Sequence, residues 1–264
     1  MTGSIRCVVF SRDRALQLDA FLESLERFAP LAYETIAVLY RATGPLFAQA
    51  YDELRRERPL VAWLEESSFR DDLLGALGTE PYLVFHTDDD VFFDAVPAFE
   101  LREDEVCFTL RLGLNTTYCY PLDVEERLQD AEAETERVSW SWRDQAPGAY
   151  SYPLALNGHV FRANDARDWL QRIGYTNPNE LESSLQALGD DVPARMASFP
   201  RSRVVSIPTN IVNETFPNRH AGGRDVGGLN DRFLRGERID TEAMDFANVT
   251  ACHQEIELKF TGDR

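Results

Sequence analysis

Lysine is almost absent from this chain of 264 residues. Of its 27 basic residues, Lys259 is the one lysine. The other basic residues are arginines scattered along the chain, which indicates a bias of composition rather than a site. Acidic residues outnumber basic ones by 45 to 27, which gives a net charge of −18. No run of basic residues offsets the repulsion that a polyanion would meet, so we expect no nucleic acid among the partners.

Long apolar segments and paired cysteines are also missing. No uncharged apolar stretch approaches the roughly 18 residues needed to cross a bilayer, and the first ten residues contain no apolar signal region. The cysteines form no C-x-x-C pair and lie in or beside apolar segments: Cys7, Cys107, Cys119 and Cys252. These absences predict a soluble, cytoplasmic protein with buried, reduced thiols. A peripheral contact with a membrane surface stays compatible with them.

The first hundred residues alternate between strand-like and helix-like segments. The apolar runs that predict strands cover residues 5–10, 33–40, 60–64 and 81–85. The segments with helical spacing of apolar residues cover 16–28, 45–56 and 68–77. This alternation predicts an α/β fold with a parallel sheet flanked by helices, in which ligands bind beyond the carboxyl ends of the strands.

The pattern changes after about residue 100. A strand over 106–112 and a charged surface helix over 124–137 are predicted, followed by an aromatic loop over 139–152. The tryptophans and tyrosines of that loop suit either core packing or a platform for a sugar ring. Residues 216–236 are rich in Gly, Arg and Asn and predict a mobile loop. No linker or repeat marks a boundary, so we predict a single domain over 1–264.

Three adjacent aspartates, Asp88, Asp89 and Asp90, follow the predicted strand over 81–85. Adjacent carboxylates repel one another unless they are solvated, hydrogen-bonded or neutralised by a cation. On a surface turn solvation is sufficient. At the end of a buried strand a divalent ion with oxygen ligands becomes the better explanation, with Mg²⁺ or Mn²⁺ held by one or two carboxylates and substrate phosphates.

With this triplet behind a core strand, the sequence resembles the GT-A glycosyltransferases, which use nucleotide-diphosphate sugars. The resemblance rests on a first strand that ends in Ser11-Arg12-Asp13-Arg14, two further strand and helix units, and a D-x-D element at 88–90. It implies a GT-A-like, mixed and mostly parallel sheet, with nucleotide-sugar binding in residues 1–100 and acceptor binding in residues 101–264. It further implies a divalent metal held by Asp88 and Asp90.

The resemblance also implies contacts to the nucleotide sugar near the first strand and the triplet. The residues in question are Ser11, Arg12, Arg14, Asp88 and Asp89. Arg111 and Asn115, just past a predicted strand, are further candidates for contacts to the donor sugar. In the late loop, His220 is either a metal ligand or a solvated histidine, and Arg219 and Arg224 have the guanidinium groups that match phosphate oxygens.

An inverting transfer needs a base near the acceptor hydroxyl. Asn177, Pro178 and Glu180 form a helix-capping pattern, which gives Glu180 a structural explanation. Glu182 has no such task and is the favoured base, with Glu180 and Asp191 as alternatives. In a retaining enzyme this carboxylate would instead orient the acceptor or the intermediate, and the sequence leaves that choice open.

The predicted function is therefore a metal-dependent transfer of a sugar from a nucleotide diphosphate to a hydroxyl of a saccharide or glycoconjugate. One alternative is a nucleotidyltransferase that makes an activated sugar, although the first loop lacks the glycines and the lysine typical of that class. The other is a non-catalytic module that binds a nucleotide sugar or a metal. Donor sugar, acceptor and oligomeric state are not readable from the residues.

Overall fold

The computed structural model describes residues 4–30, 33, 35–210 and 225–261. In chain order its strands are β1 (Ile5–Arg12), β2 (Thr35–Arg41), β3 (Ala62–Glu65), β4 (Tyr82–Thr87), β5 (Asp90–Phe92), β6 (Glu105–Thr109), β7 (Tyr118–Cys119), β8 (Val124–Glu125), β9 (Glu132–Ala133), β10 (Val138–Ser141), β11 (His159–Arg162), β12 (Arg195–Ser198) and β13 (Val204–Ser206). The helices are α1 (Ala15–Phe28), α2 (Pro45–Glu57), α3 (Phe69–Ala76), α4 (Ala163–Arg172), α5 (Pro178–Gln186) and α6 (Val226–Leu234). Within these ranges, no helix is both long and apolar enough to cross a membrane.

The central sheet has nine strands in the part of the chain that is described, in the order β3-β2-β1-β4-β11-β6-β12-β10-β9. Strands β3, β2, β1 and β4 pair in parallel. Only β11 and β10 oppose both of their neighbours, so the other seven strands of this described sheet run in one direction. The predicted α/β class with a mostly parallel sheet is confirmed.

Side chains alternate between the two faces along each buried strand, so both faces of the sheet are apolar. Helices cover both faces. In β1, Cys7 and Val9 pack in one apolar cluster with α1, α2 and α6. Val8 and Phe10 pack in the other cluster with α3, α4 and α5. The chain moves outward from β1 through α1 and α2, then returns on the opposite face through α3 to β4. The boundary between β1 and β4 is therefore the switch point of the sheet.

The prediction of a mobile loop over 216–236 is wrong for part of this segment. Residues 226–234 form α6, while residues 216–224 lie outside the described residues. The Asp225 carboxylate caps α6 by accepting from the N–H groups of Gly227 at 3.1 Å and Gly228 at 3.0 Å. Phe233 is fully buried against α1 and α2. This burial stabilises a helix that has two glycines in its first turn.

The predicted helix over 124–137 is also wrong. This segment contains β8 and β9, which pair with β7 and β10. Asp130 has a φ of 47°, a left-handed conformation that no helix continues through. Arg137 is buried and donates to the Glu105 carboxylate and to the Glu100 carbonyl. These tertiary contacts override the helical charge pattern.

The aromatic stretch over 139–152 divides between core and surface. Trp140 is fully buried, and its indole N–H donates to the Tyr150 carbonyl at 2.9 Å. Tyr150 is buried as well, so both belong to the core. Tyr152 instead keeps 37% of its surface exposed. The four cysteines are buried and free, as predicted.

Candidate functional site

The carboxyl ends of β1 and β4 bring two polar segments together. The strands are parallel neighbours with Phe10 paired to Thr87, so residues 11–14 and 88–90 leave the sheet at the same edge. The Asp88 N–H donates to the Phe10 carbonyl at 3.1 Å and extends this pairing. The name acidic edge is used here for Ser11, Arg14, Asp88, Asp89 and Asp90. It lies at the switch point, where open α/β sheets bind ligands.

The turn after β1 directs Arg14 toward this edge. Asp13 has a φ of 57°, a left-handed conformation that aspartate tolerates better than most residues. Its carboxylate accepts from the N–H and the hydroxyl of Thr43, each at 2.7 Å. The Arg14 N–H donates to the Tyr51 hydroxyl at 3.2 Å. Thr43, before α2, and Tyr51, within it, thus fix the backbone position of Arg14.

Asp88 is buried and bonded to the end of β1. Its Oδ1 accepts from Arg14 Nη1 at 3.0 Å. Its Oδ2 accepts from the Ser11 hydroxyl at 2.9 Å and from the Arg12 N–H at 3.3 Å. Burial raises the pKa of Asp88 to about 6, and the charge of Arg14 opposes this shift. An internal guanidinium therefore faces the first carboxylate of the triplet.

Asp90 is buried too and is bonded to another set of groups. Its Oδ2 lies 2.7 Å from His86 Nδ1, and its Oδ1 accepts from the Ser206 hydroxyl at 2.5 Å. The other ring nitrogen of His86 lies 3.2 Å from the Tyr33 hydroxyl. Burial acts to raise the pKa of Asp90, but the hydrogen bond and charge of His86 bring it below its ordinary value. His86 is therefore a hydrogen-bonded core residue.

Asp89 lies between these two carboxylates and is more open. Its side chain is 19% exposed. Its Oδ1 accepts from the Thr87 hydroxyl at 2.7 Å, and its Oδ2 lies 3.4 Å from Arg14 Nη1. Its carbonyl accepts from the Ile207 N–H at 2.8 Å.

The triplet does not fit the predicted metal site, in which Asp88 and Asp90 bind one divalent ion together. Their oxygens are already acceptors for arginine, serine, histidine and backbone groups. Across the described residues, no three His, Cys, Asp or Glu side chains are arranged to hold a metal ion. His220, the third predicted ligand, lies outside the described residues, as do Arg219 and Arg224.

A second polar group surrounds Arg111, two residues after β6. Arg111 is buried, and its Nη2 lies 3.2 Å from His253 Nδ1. Burial, together with the charge of Arg111, lowers the pKa of His253 to about 3, so this ring is neutral at ordinary pH and accepts the bond. The charge of Arg111 acts to lower the pKa of both Asp90 and Glu182. The name Arg111 cluster is used here for Arg111, Glu182, Cys252 and His253.

Glu182 enters this cluster from the first half of α5. Asn177 caps the helix by accepting from the Glu180 N–H at 3.0 Å, and Pro178 occupies the first turn. Leu181 is buried, and the next residue, Glu182, is half-buried. Glu182 Oε1 accepts from the Leu156 N–H at 3.1 Å. Burial raises its pKa, against the N–H bond and the charge of Arg111.

The other predicted site residues lie elsewhere or have structural tasks. The Glu180 carboxylate is exposed and accepts from the N–H of Thr176 at 2.8 Å and from its hydroxyl at 2.7 Å. Asp191 is exposed in a short 3-10 turn after α5. Asn115 donates to Ser202 Oγ at 2.8 Å and to the Val249 carbonyl at 2.9 Å. In the described part of the chain, none of these three contacts the acidic edge or the Arg111 cluster.

Several polar residues of the site carry no signal in the sequence analysis. Asn210 receives two bonds from Arg14, one of them from Nε at 2.8 Å. Ser206 and His253 are neighbours in a β-bridge and reach Asp90 and Arg111. Glu126 feels the charge of Arg111, and one of its buried oxygens has no hydrogen-bond partner. The position of Asn210 shortly after β13 is the one local clue.

Comparison with known proteins gives a weak likeness to glycosyltransferases. No protein-family model matches the chain. The bifunctional glycosyltransferase pgtA of Dictyostelium discoideum is 23% identical over 217 residues, which make up 68% of this chain and 28% of that protein. The structure of S. aureus TarS matches 77% of this chain and 36% of its own, with 13% identity and a TM-score of 0.43. The mannosyltransferase PcManGT from Pyrobaculum calidifontis, in complex with GDP-Man and Mn²⁺, matches 74% of this chain and 54% of its own, with 12% identity and a TM-score of 0.40.

Proposed function

We propose that this chain is a glycosyltransferase of the GT-A type, which moves a sugar from a nucleoside diphosphate to a hydroxyl of a saccharide or glycoconjugate. The observation that carries the proposal is the meeting of residues 11–14 with residues 88–90 at the switch point between β1 and β4. Ligands of open α/β sheets bind at such a point. The sequence likeness to a glycosyltransferase supports the same class.

In the proposed arrangement, the nucleoside diphosphate binds across the acidic edge, with residues 1–100 as the donor half. Arg111 is proposed to face the diphosphate, because its charge acts on both Asp90 and Glu182. A fixed guanidinium stabilises the negative charge that develops on the leaving phosphate oxygen. No metal ion is assigned to this step, since the predicted ligands Asp88 and Asp90 already have protein partners.

The acceptor is proposed to bind on the side of the Arg111 cluster, formed by residues 101–264. The acceptor hydroxyl oxygen attacks the anomeric carbon of the donor sugar. The bond from that carbon to the phosphate oxygen breaks, and its electron pair stays on the diphosphate. Glu182 takes the hydroxyl proton, because burial raises its pKa and leaves its carboxylate a stronger base. Tyr152, exposed beside Glu182, offers a ring face for the acceptor sugar.

The first experiment tests binding and transfer separately. UDP, GDP and dTDP are titrated into the protein by calorimetry, and the matching nucleotide sugars are then assayed with a panel of saccharide acceptors. We expect one nucleotide to bind and its sugar to be transferred. Failure of all three nucleotides to bind, both with and without Mn²⁺, contradicts the proposal. Binding without transfer to any acceptor supports the non-catalytic module instead.

The second experiment tests the base. Glu182→Gln is expected to lower the transfer rate by about 100-fold or more, while nucleotide affinity stays within about twofold, since the amide cannot accept a proton. Glu180→Gln, on the same helix with an exposed carboxylate, is the matched control and keeps the wild-type rate. A wild-type rate in Glu182→Gln excludes Glu182 as the base.

A further inference from the structure

All six carboxylate oxygens of the triplet accept a hydrogen bond from the protein. Asp88 is bonded by Arg14 and by Ser11, at 3.0 and 2.9 Å. Asp90 is bonded by His86 and by Ser206, at 2.7 and 2.5 Å. The remaining pair of oxygens belongs to Asp89, which is bonded at 2.7 Å by Thr87 and at 3.4 Å by Arg14. Carboxylates that are this fully engaged offer a divalent ion no ready set of ligands.

The distances show which bonds a divalent ion would have to replace. Mg²⁺ and Mn²⁺ prefer oxygen ligands, and Mg²⁺ is usually held in octahedral geometry by one or two carboxylates together with waters and substrate phosphates. A shared ion between Asp88 and Asp90 would displace Arg14 from Asp88 and either His86 or Ser206 from Asp90. The displaced guanidinium would then remain buried beside a doubly charged ion, which is costly in a low-dielectric site.

Arg14 is locked in this place by residues from the other half of the chain. Its side chain is 8% exposed. Its Nε donates to Asn210 Oδ1 at 2.8 Å, and its Nη2 donates to the Asn210 carbonyl. A guanidinium held along its Nε and Nη2 edge loses little further entropy when its other edge pairs with a carboxylate. The Arg14 charge is therefore a fixed part of the acidic edge.

We propose that Arg14 is the resident cation of the acidic edge and takes the place of a divalent metal, so that donor binding and transfer are metal-independent. This inference rests on the proposed function. It departs from the metal dependence that the family resemblance implies, and the reason is the bonding of this chain's own aspartates. Negative charge on the diphosphate is then balanced by Arg111, as in the proposed function, because the Arg14 guanidinium is already bonded to Asp88, Asp89 and Asn210.

The decisive measurement is a Mn²⁺ titration of the wild-type protein, followed through the EPR signal of free Mn²⁺ and repeated with nucleoside diphosphate present. We expect no binding tighter than millimolar in the protein alone. We also expect nucleotide affinity and transfer rate to stay within about twofold in excess EDTA, because the cation is built in. Stoichiometric Mn²⁺ binding at micromolar concentration, or loss of transfer in EDTA, overturns the inference.

A variant pair sharpens the result. Arg14→Ala removes the resident cation and is expected to tighten Mn²⁺ binding by about tenfold or more, because Asp88 and Asp89 then lack their counter-charge. Arg14→Lys keeps the charge and stays without Mn²⁺ binding. Arg41→Ala is the matched control, since Arg41 ends the neighbouring strand β2 but is exposed and pairs with Glu66. If Arg14→Ala is folded by circular dichroism and still binds no Mn²⁺, the inference is wrong.

The two proposals fail in different ways. Transfer that requires Mn²⁺ overturns the resident cation but leaves the glycosyltransferase standing. Absence of nucleotide binding both with and without Mn²⁺ overturns the proposed function. In that case the Mn²⁺ titration of the protein alone still reports whether Arg14 keeps a divalent ion out of the triplet.

Discussion

The acidic edge contains buried carboxylates and the Arg111 cluster a half-buried one, Glu182, and the two sites hold them differently. At the acidic edge, the Asp88 carboxylate is bonded directly to the Arg14 side chain, and the Asp90 carboxylate is bonded directly to the His86 ring. In the Arg111 cluster, Glu182 receives one hydrogen bond, from a backbone N–H. No ion pair to Glu182 within 4.0 Å occurs among the described residues, and Arg111 acts on it through its charge alone.

This difference separates Asp90 from Glu182, whereas Asp88, also at the acidic edge, has its pKa raised to about 6 by burial. Hydrogen bonds and nearby charge hold the pKa of Asp90 low, so its carboxylate keeps its charge and its geometry over a wide pH range. Burial with a single bond holds the pKa of Glu182 high, so this carboxylate is closer to exchanging a proton. Buried groups whose surroundings push their pKa values apart are suited to separate tasks in one reaction.

The largest effect is expected where the acidic edge is broken. His86→Phe removes the ring nitrogen 2.7 Å from Asp90 and leaves a buried carboxylate with too few partners. We expect the free energy of unfolding to fall by about 3 kcal/mol. Urea denaturation at neutral pH measures this loss.

The matched variant for His86→Phe is Tyr33→Phe. It removes the contact on the other ring nitrogen, at 3.2 Å, while Asp90 keeps its partners. A net loss of about 1 kcal/mol is expected for this neutral hydrogen bond. Equal losses in both variants would show that the bond from His86 to Asp90 contributes no more than a neutral hydrogen bond.

The next effect concerns the pH dependence of the Arg111 cluster. The charge of Arg111 lowers the pKa of Glu182 against the effect of burial, so Arg111→Gln is expected to raise it. Glu182 must be deprotonated to accept a proton, and the acid limb of kcat/KM therefore moves to higher pH. A profile of kcat/KM against pH measures the shift, and the loss relative to wild type is expected to be larger in acid than at neutral pH.

The position of that limb, rather than the size of the rate loss, is the informative quantity, since Arg111→Gln also removes a proposed contact to the diphosphate. The Glu182→Gln variant provides the reference, because its residual activity is expected to lack this limb. An unchanged limb in Arg111→Gln would mean that another group titrates in the reaction.

Local sequence signals predicted where the acidic edge lies, but not how it is bonded. The strand signal over 81–85 and the loop after residue 10 place both segments correctly, because a parallel pair brings its carboxyl ends together. Ser206, which bonds Asp90, and Asn210, which holds Arg14, are each more than a hundred residues away from their partner along the chain. A local sequence pattern cannot predict hydrogen-bond partners that are so distant along the chain.

The two wrong predictions in the second half have opposite causes. Residues 226–234 have the cap and the apolar spacing of a helix, Asp225 with Leu229 and Phe233, but their glycines concealed it. Residues 124–137 have the charge pattern of a helix, yet Arg137 is pulled into the core toward Glu105. Tertiary contacts decide both cases, since helix propensity is a weak preference.

The smallest effect tests whether Glu182 depends on how α5 begins. Asn177→Ala removes the cap whose oxygen accepts from the Glu180 N–H at 3.0 Å. The free energy of unfolding is expected to fall by about 1 kcal/mol, the usual effect of losing an N-cap. Because Leu181 and the Leu156 N–H still hold Glu182 in place, kcat/KM is expected to stay within about twofold of wild type. Thermal denaturation and the transfer assay measure the two quantities, and a large rate loss without a loss of stability would place the cap itself in the reaction.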